Sequence, residues 1–297
     1  MIQDCIEAGT FEDLGIISEE VMSSDCLVAI SSDDCGNFIV QKLLDKSSPG
    51  RRLECLSLLL AHILPLSTDF YGCRVIQKLI HILPADEQCK IVFQLVLEAN
   101  VVDLATHESA NYVMQKVIEV IPYQYLNFIV GFQGRVLDLS RDVNGSRVMQ
   151  RCIRHLPIVW GRRKALVEEL LPFAKVMIKD KLAKYVLQRL LECGGDDERR
   201  GLYQQMHGDF LEFSCHEHAS TVCERALVYC DDDIRESLIE ELMVSDGGRP
   251  VGLDRLMRDV YGSFVLNRAM EVAIGEQRSA LRLAVGDLVE RDANNSD

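Results

Sequence analysis

Apolar and polar positions recur along this chain in one six-residue phrase that returns seven times. A small residue opens it, two variable positions follow, then two apolar positions, and an amide or carboxylate side chain closes it. The copies open at Gly36, Gly72, Ala110, Gly145, Ala183, Ala219 and Gly262. They close on Gln41, Gln77, Gln115, Gln150, Gln188, Glu224 and Asn267, spaced 36, 38, 35, 38, 36 and 43 residues apart. That period belongs to a stacked helical repeat, not to a heptad or a propeller blade.

Each phrase predicts the first turns of a helix. Three residues before the small position stands Asp33, Asp69, His107, Asp142, Asp180, His216 or Asp259. An Asp there suits a helix N-terminus, where its carboxylate accepts backbone N–H groups that lack a partner within the helix. The helix then continues through apolar pairs such as Leu43-Leu44 and Leu79-Ile80. Apolar runs between phrases, Leu56 to Leu64, Ile91 to Leu97 and Leu166 to Leu171, read as packing helices, and Gln277 to Val289 as a last one. Breaks fall at Pro84, Pro122, Pro157, Gly194-Gly195 and Asp246-Gly247-Gly248. The longest interval predicts a loop from Val244 to Leu253. A degenerate unit opens the chain, with Gln3 at the closing position 38 residues before Gln41, so the first repeat reads as truncated. Residues 1–291 read as one repeat domain and 292–297 as a polar tail.

The variable positions carry the candidate chemistry. On a helix the second and sixth residues of the phrase are i and i+4 and share a face, and the third lies about 100° away, toward the neighbouring repeat. Edge pairs follow: Asn37/Gln41, Cys73/Gln77, Asn111/Gln115, Ser146/Gln150, Lys184/Gln188, Ser220/Glu224 and Ser263/Asn267. Two such side chains present donors and acceptors to a planar edge. Glu224 alone is a pure acceptor, suited to the N–H donors of guanine. The third positions are Phe38, Arg74, Tyr112, Arg147, Tyr185, Thr221 and Phe264. Aromatic rings and guanidinium groups are what unpaired bases stack on. Packing alone gives no reason for the edge positions to vary among base-edge partners.

Charge modifies this picture. With 48% apolar and 26% charged residues the chain is globular in composition. A net charge of −14 argues, taken alone, against a nucleic-acid partner. Yet a cation follows every closing position: Lys42, Lys78, Lys116, Arg151, Arg189, Arg225 and Arg268. A local basic stripe on an acidic body describes this better. No apolar run reaches membrane-spanning length and no signal peptide is evident, which predicts a soluble intracellular protein. Eleven scattered cysteines without a Cys-x-x-Cys pair predict reduced thiols packed as small hydrophobes. Cys215-His216-Glu217-His218, with Cys223 nearby, has zinc-ligand chemistry. However, His216 occupies a position that is Asp in five other copies, so a repeat role is the expectation.

These phrases resemble the PUF (Pumilio-homology) family of RNA-binding proteins over essentially the whole chain. Gly72 to Lys78 and Ala110 to Lys116 look close to the family consensus, and Ala219 to Arg225 resembles its guanine-reading repeat. The resemblance implies an all-α fold, a right-handed superhelical solenoid (a crescent) of about eight three-helix repeats with the first truncated. It further implies single-stranded RNA running antiparallel on the concave face, one base per repeat. Asn with Gln then reads uracil, Cys or Ser with Gln reads adenine, and Ser with Glu reads guanine. Lys184/Gln188 and Ser263/Asn267 depart from the Asn-with-Gln pair the family would place there. Read from last copy to first, and with uracil filled in by analogy at those two repeats, the target is UGUAUAU. The implied function is mRNA 3′ UTR binding and post-transcriptional repression or regulation. It carries the expectation of a cytoplasmic monomer with deadenylase or translational-repressor partners, no cofactor and no metal.

Other classes fit less well. A protein-binding scaffold of the HEAT or armadillo kind predicts acidic or apolar groove residues without Gln or Glu at fixed spacing. A ribosome-assembly relative would lack the base-reading pairs and be basic. For an enzyme, the sequence offers neither a phosphate loop nor a nucleophile elbow nor a metal triad.

Overall fold

A computed structural model describes Val21 and residues 24–248 and 250–294, with side chains as far as Arg291. The degenerate first unit around Gln3 lies outside the described residues. Among them the chain is helical, with no β-strand. The helices follow one order: short helix, motif helix, packing helix.

The chain divides into two compact units, Met1–Arg135 with Asp142–Pro157, and Val136–Arg141 with Ile158–Asp297. In the first, short helices α1 (Ser24–Ser31), α4 (Ile63–Thr68) and α7 (Val101–Thr106) precede motif helices α2 (Gly36–Lys46), α5 (Gly72–Ile82) and α8 (Ala110–Val120). A fourth motif helix, α10 (Gly145–His155), belongs to this unit, and the packing helices are α3 (Pro49–Leu59) and α6 (Ala85–Glu98). In the second unit, short helices α9 (Val136–Arg141), α12 (Ala174–Met177), α15 (Phe210–Ser214) and α18 (Val251–Arg258) alternate with the others. Its motif helices are α13 (Lys184–Cys193), α16 (Ser220–Tyr229) and α19 (Val260–Val272). Its packing helices are α11 (Gly161–Leu170), α14 (Asp196–Met206), α17 (Asp232–Leu242) and α20 (Gly275–Asn294). Among the described residues no helix is long and apolar enough to cross a membrane.

Motif helices pack side by side on their neighbours within each unit, α2 on α5, α5 on α8, α8 on α10, and likewise α13 on α16 and α16 on α19. The two apolar positions of the phrase anchor this layer. Val75, Ile76, Val148, Met149, Val186, Leu187, Val222 and Cys223 are fully buried, at 0% exposure. Burying such side chains contributes roughly 1.5–3 kcal/mol each, which is what holds neighbouring repeats together. Among the described residues Cys55, Cys73, Cys152, Cys223 and Cys230 are buried as the apolar reading expects, whereas Cys26, Cys89, Cys193 and Cys215 are half-buried and Cys35 is exposed. Burial pushes the Cys152 thiol up to about 12 and the Cys55 and Cys230 thiols to about 11.

Four elements differ from the sequence reading. The apolar run Leu56 to Leu64 is two helices, α3 and α4, joined by a 3-10 turn over Leu60–His62. The loop expected from Val244 to Leu253 is shorter, because α18 already begins at Val251. The third repeat has two 3-10 stretches, Tyr123–Tyr125 and Asn127–Phe132, where its neighbours have a packing helix. Aromatic and β-branched residues with Gly131 lower helix propensity there. Gly131 also lies so close to α7 that a Cβ on it would meet Val101 Cγ2 at 2.5 Å. This is the shortest of the seven-copy intervals, 35 residues between Gln115 and Gln150. The final helix, α20, runs to Asn294, into the stretch read as a polar tail.

Candidate nucleic-acid interface

One device starts every motif helix. Asp33 Oδ1 accepts the N–H groups of Cys35 and Gly36 at 3.0 and 2.7 Å. Asp69, Asp142, Asp180 and Asp259 each accept the corresponding two N–H groups. His107 and His216 do the same work with Nδ1, which accepts from Ser109 and Ala110 and from His218 and Ala219. The pattern explains why His replaces Asp at these two positions. It also gives His216 a structural use of its ring nitrogen, in place of the zinc chemistry its neighbours suggest. Desolvation, His218 and Lys179 hold the His216 imidazole below its ordinary pKa. At Asp180 desolvation is outweighed by the N–H bonds of Ala183 and Leu182 and by Arg141, so its carboxyl lies below the usual range.

With the helix start fixed, the variable positions fall into three levels of exposure. The first edge residues Asn37, Cys73, Asn111, Ser146, Lys184 and Ser220 are buried, and Ser263 is half-buried. The closing residues Gln41, Gln77, Gln115, Gln150, Gln188 and Glu224 are half-buried, and Asn267 is exposed. The third positions stand out furthest: Phe38, Arg74, Arg147, Tyr185 and Phe264 are exposed, Tyr112 and Thr221 half-buried.

The i, i+4 geometry is visible in the hydrogen bonds. Gln41 Nε2 donates to Asn37 Oδ1 at 3.1 Å and Gln115 Nε2 to Asn111 Oδ1 at 2.9 Å. Both amide hydrogens of Asn37 and of Asn111 go to backbone carbonyls of the preceding turn. The Asn is therefore a buried support, and the Gln is the member that offers a remaining N–H and its carbonyl oxygen outward. Gln77 donates to Cys73 O at 3.0 Å instead, because a thiol is a poor acceptor.

The third positions of one unit meet one another. The Arg74 guanidinium carbon lies 5.2 Å from the Tyr112 ring centroid, and Arg147 donates to Tyr112 Oη at 3.5 Å. Arg–Tyr–Arg is a row of flat groups contributed by three successive repeats. In the other unit, Lys184, Tyr185, Gln188, Thr221, Glu224, Arg225, Val228, Tyr229 and Arg268 line a groove of about 490 Å³. Lys184 Nζ sits 5.3 Å from the Tyr185 ring centroid, and Gln188 Nε2 donates to Thr221 Oγ1 at 2.8 Å. Arg268 Nε approaches Glu224 Oε2 at 4.0 Å. Ser220, Ser263, Phe264 and Asn267 do not line this groove.

Sequence reading overlooked the carboxylates beside the basic stripe. Asp45 pairs with Lys78 at 2.5 Å, Glu119 with Lys116 at 3.5 Å, and Glu192 with both Arg189 and Arg225 at 2.6 and 2.8 Å. Glu271 pairs with Arg268. The signal was present as an acidic residue three positions after the cation in alternate copies.

A model of the Pumilio-family RNA binding repeat matches residues 1–22, 26–60, 62–97, 100–131, 135–171, 185–207, 209–243 and 254–282. The chain belongs to the Pumilio family. Its Pumilio repeats are 27% identical over 256 residues to a Pumilio domain-containing protein of Schizosaccharomyces pombe, covering 86% of this chain and 36% of that protein. They are 27% identical over 274 residues to Pumilio homolog 12 of Arabidopsis thaliana, covering 91% and 44%. The chain thus spans less than half the length of either relative. The Puf3 RNA binding domain bound to the Cox17 RNA 3′ UTR recognition sequence has the same fold, with a TM-score of 0.86 at 23% identity over 98% of this chain and 87% of that one.

Proposed function

We propose that this chain binds single-stranded RNA on the face formed by its motif helices, takes one base per repeat and reads a UGUAUAU-like element in mRNA 3′ untranslated regions. The observation that carries the reading is the sevenfold register. A cap in each of the seven copies delivers an edge pair to equivalent positions, with an aromatic or guanidinium side chain beside it in all but the copy of Thr221, in a family of RNA-binding repeats. The Puf3 domain named above is bound to a 3′ UTR sequence, which supports the same class of ligand here.

The proposed chemistry divides the labour among the three levels. Asn37/Gln41 and Asn111/Gln115 take uracil, with Gln giving its outward N–H and carbonyl to the base edge. Cys73/Gln77 and Ser146/Gln150 take adenine. Glu224, beside Ser220, accepts the N1–H and N2–H of guanine. Lys184/Gln188 and Ser263/Asn267 take the flanking uracils. Phe38, Arg74, Tyr112, Arg147, Tyr185, Thr221 and Phe264 stack on the bases, which costs no sequence selectivity because every base has a π-face. No residue acts as a catalyst in this scheme. Regulation follows through deadenylase or repressor proteins that a cytoplasmic monomer recruits to the bound message.

Selection from a random RNA pool with the purified chain tests the reading. Enrichment of a motif with G followed two positions later by A is the expected result, and an unenriched pool overturns it. Glu224→Gln sharpens the test. Guanine preference at the second base is expected to fall by about 1–3 kcal/mol, the cost of leaving its donors unmatched, with other positions unchanged. An equal loss for all RNAs makes Glu224 a structural residue instead.

A further inference from the structure

The cation that follows each closing residue is not a simple phosphate contact. Three positions after it stands Asp45, Glu119, Glu192 or Glu271 in alternate copies, against His81, Arg154 and Val228 in the copies between. These four carboxylates hold five of the seven cations: Lys78, Lys116, Arg189, Arg225 and Arg268. Glu192 serves two arginines, one on its own helix and one on the next. One acid in every second repeat is therefore enough to reach the repeat between. Arg151 is different, since its Nε donates to the neutral Oε1 of Gln115 at 3.4 Å.

Stability does not explain the pattern, because partly exposed ion pairs, three of them i, i+3 and two between repeats, contribute little to it. Their effect on a ligand is larger. A cation paired at 2.5–2.8 Å presents a dipole to a passing phosphate, and its field is screened within the Debye length. Phosphate contact supplies the sequence-independent part of RNA affinity. A repeat protein that reads bases gains discrimination by suppressing that part.

We propose that Asp45, Glu119, Glu192 and Glu271 are specificity residues that cancel the charge of the RNA-facing cations, so that affinity depends on base identity and not on the phosphate backbone. The inference rests on the RNA-binding reading above and adds a role for four residues outside the base-contacting set. The carboxylates act by holding cations, not by touching RNA.

The test uses the full chain carrying Asp45→Asn, Glu119→Gln, Glu192→Gln and Glu271→Gln together. Affinities are measured between ~50 and ~200 mM salt, the range over which counterion release is read, for an oligoribonucleotide containing UGUAUAU and for one of scrambled order. The variant is expected to bind the scrambled RNA on the order of tenfold more tightly at low salt, with a log–log slope steeper by about 0.7 for each cation released. Discrimination between the two RNAs narrows. An unchanged slope and unchanged scrambled affinity overturn the proposal, as does weaker binding to both RNAs, which makes the carboxylates plain positioning residues. Wild-type protein that fails to distinguish the two RNAs overturns the RNA reading itself, a separate and visible outcome. If a thermal melt shows the quadruple variant unfolded, Glu192→Gln alone frees two arginines and carries the test, with a slope change of about 1.4 expected.

Discussion

The two units build the same motif helix and finish it differently. In the unit containing α2, α5, α8 and α10, every edge pair is neutral, and Gln41, Gln77 and Gln115 each donate to a residue of their own repeat. In the unit containing α13, α16 and α19, Lys184 and Glu224 bring charge to the edge positions. Gln188 there crosses to Thr221 of the next repeat. Neither a thiol nor a lysine ammonium offers a good acceptor to the amide four residues on; Gln77 turns to the Cys73 backbone carbonyl and Gln188 to Thr221 Oγ1. The Gln188–Thr221 bond lies in the groove that Lys184, Tyr185 and Glu224 also line.

Both units mix glycine and alanine at the small opening residue, with Gly36, Gly72, Ala110 and Gly145 in one and Ala183, Ala219 and Gly262 in the other, and the largest expected effect lies there. A Cβ on Gly36 would sit 2.5 Å from Ile30 O and 2.9 Å from Ile30 Cγ2. Ala183 and Ala219 occupy the equivalent position in the other unit and are fully buried. Gly36→Ala is therefore expected to destabilise by up to about 3 kcal/mol through overpacking. That outweighs the gain of about 0.5–1 kcal/mol that alanine brings to a helix. Chemical denaturation checks it, and a stabilised Gly36→Ala protein means that Ile30 yields to the added methyl group as the neighbours of Ala110, Ala183 and Ala219 do.

Next in size is the Arg–Tyr–Arg row, which has no counterpart in the groove of the other unit. Tyr112→Ala is expected to cost about 2 kcal/mol of RNA affinity with base choice nearly unchanged. Melting temperature is measured alongside. A protein that melts much earlier yet binds normally when cold assigns the ring to inter-repeat packing instead.

The smallest effect is the most direct probe of the comparison. Lys184→Asn gives Gln188 an acceptor in its own repeat and makes this copy like those of α2 and α8. Preference for uracil at the matching base is expected to rise by about 1 kcal/mol, one hydrogen bond's worth. Unchanged preference after the exchange shows that Gln188 stays with Thr221.

Much of this was legible because periodicity and capping are local. The small residue, the Asp three places earlier and the two apolar positions all act within two helical turns, so their spacing reveals them directly. The stretch after the third copy was less legible, because Tyr123 to Phe132 is apolar enough for a helix, while the 3-10 form goes with its low helix propensity and the close approach of Gly131 to α7. The run Leu56 to Leu64 hides a bend for the same reason: hydropathy records burial and not direction. At the interface, the edge pairs and projecting residues could be placed by helical geometry. Burial of Asn37 and Asn111 could not, since it depends on carbonyls of the preceding turn. Nor could the sharing of Glu192 between two helices, which is a relation in space and not in sequence.

The seven caps have a consequence for how such a chain changes over generations. Each motif helix starts from a residue that lies outside the phrase, so the tips are free to vary without moving the backbone that presents them. Asp33 and His107 head repeats with the same Asn and Gln, while Asp180 heads one with Lys184. The anchor and the letter are thus inherited separately. Under the proposed reading of one base per repeat, a single substitution at a tip is expected to rewrite one letter of the target while the remaining repeats keep theirs, because repeats couple only to their neighbours. The same separation makes acid the one condition that touches anchors selectively. His216 caps only when Nδ1 is unprotonated, and its lowered pKa means this support is complete above the ordinary histidine value and is lost as pH falls through the folded one. Loss of that anchor loosens the helix carrying Glu224, so under the proposed reading guanine preference is expected to weaken in acid.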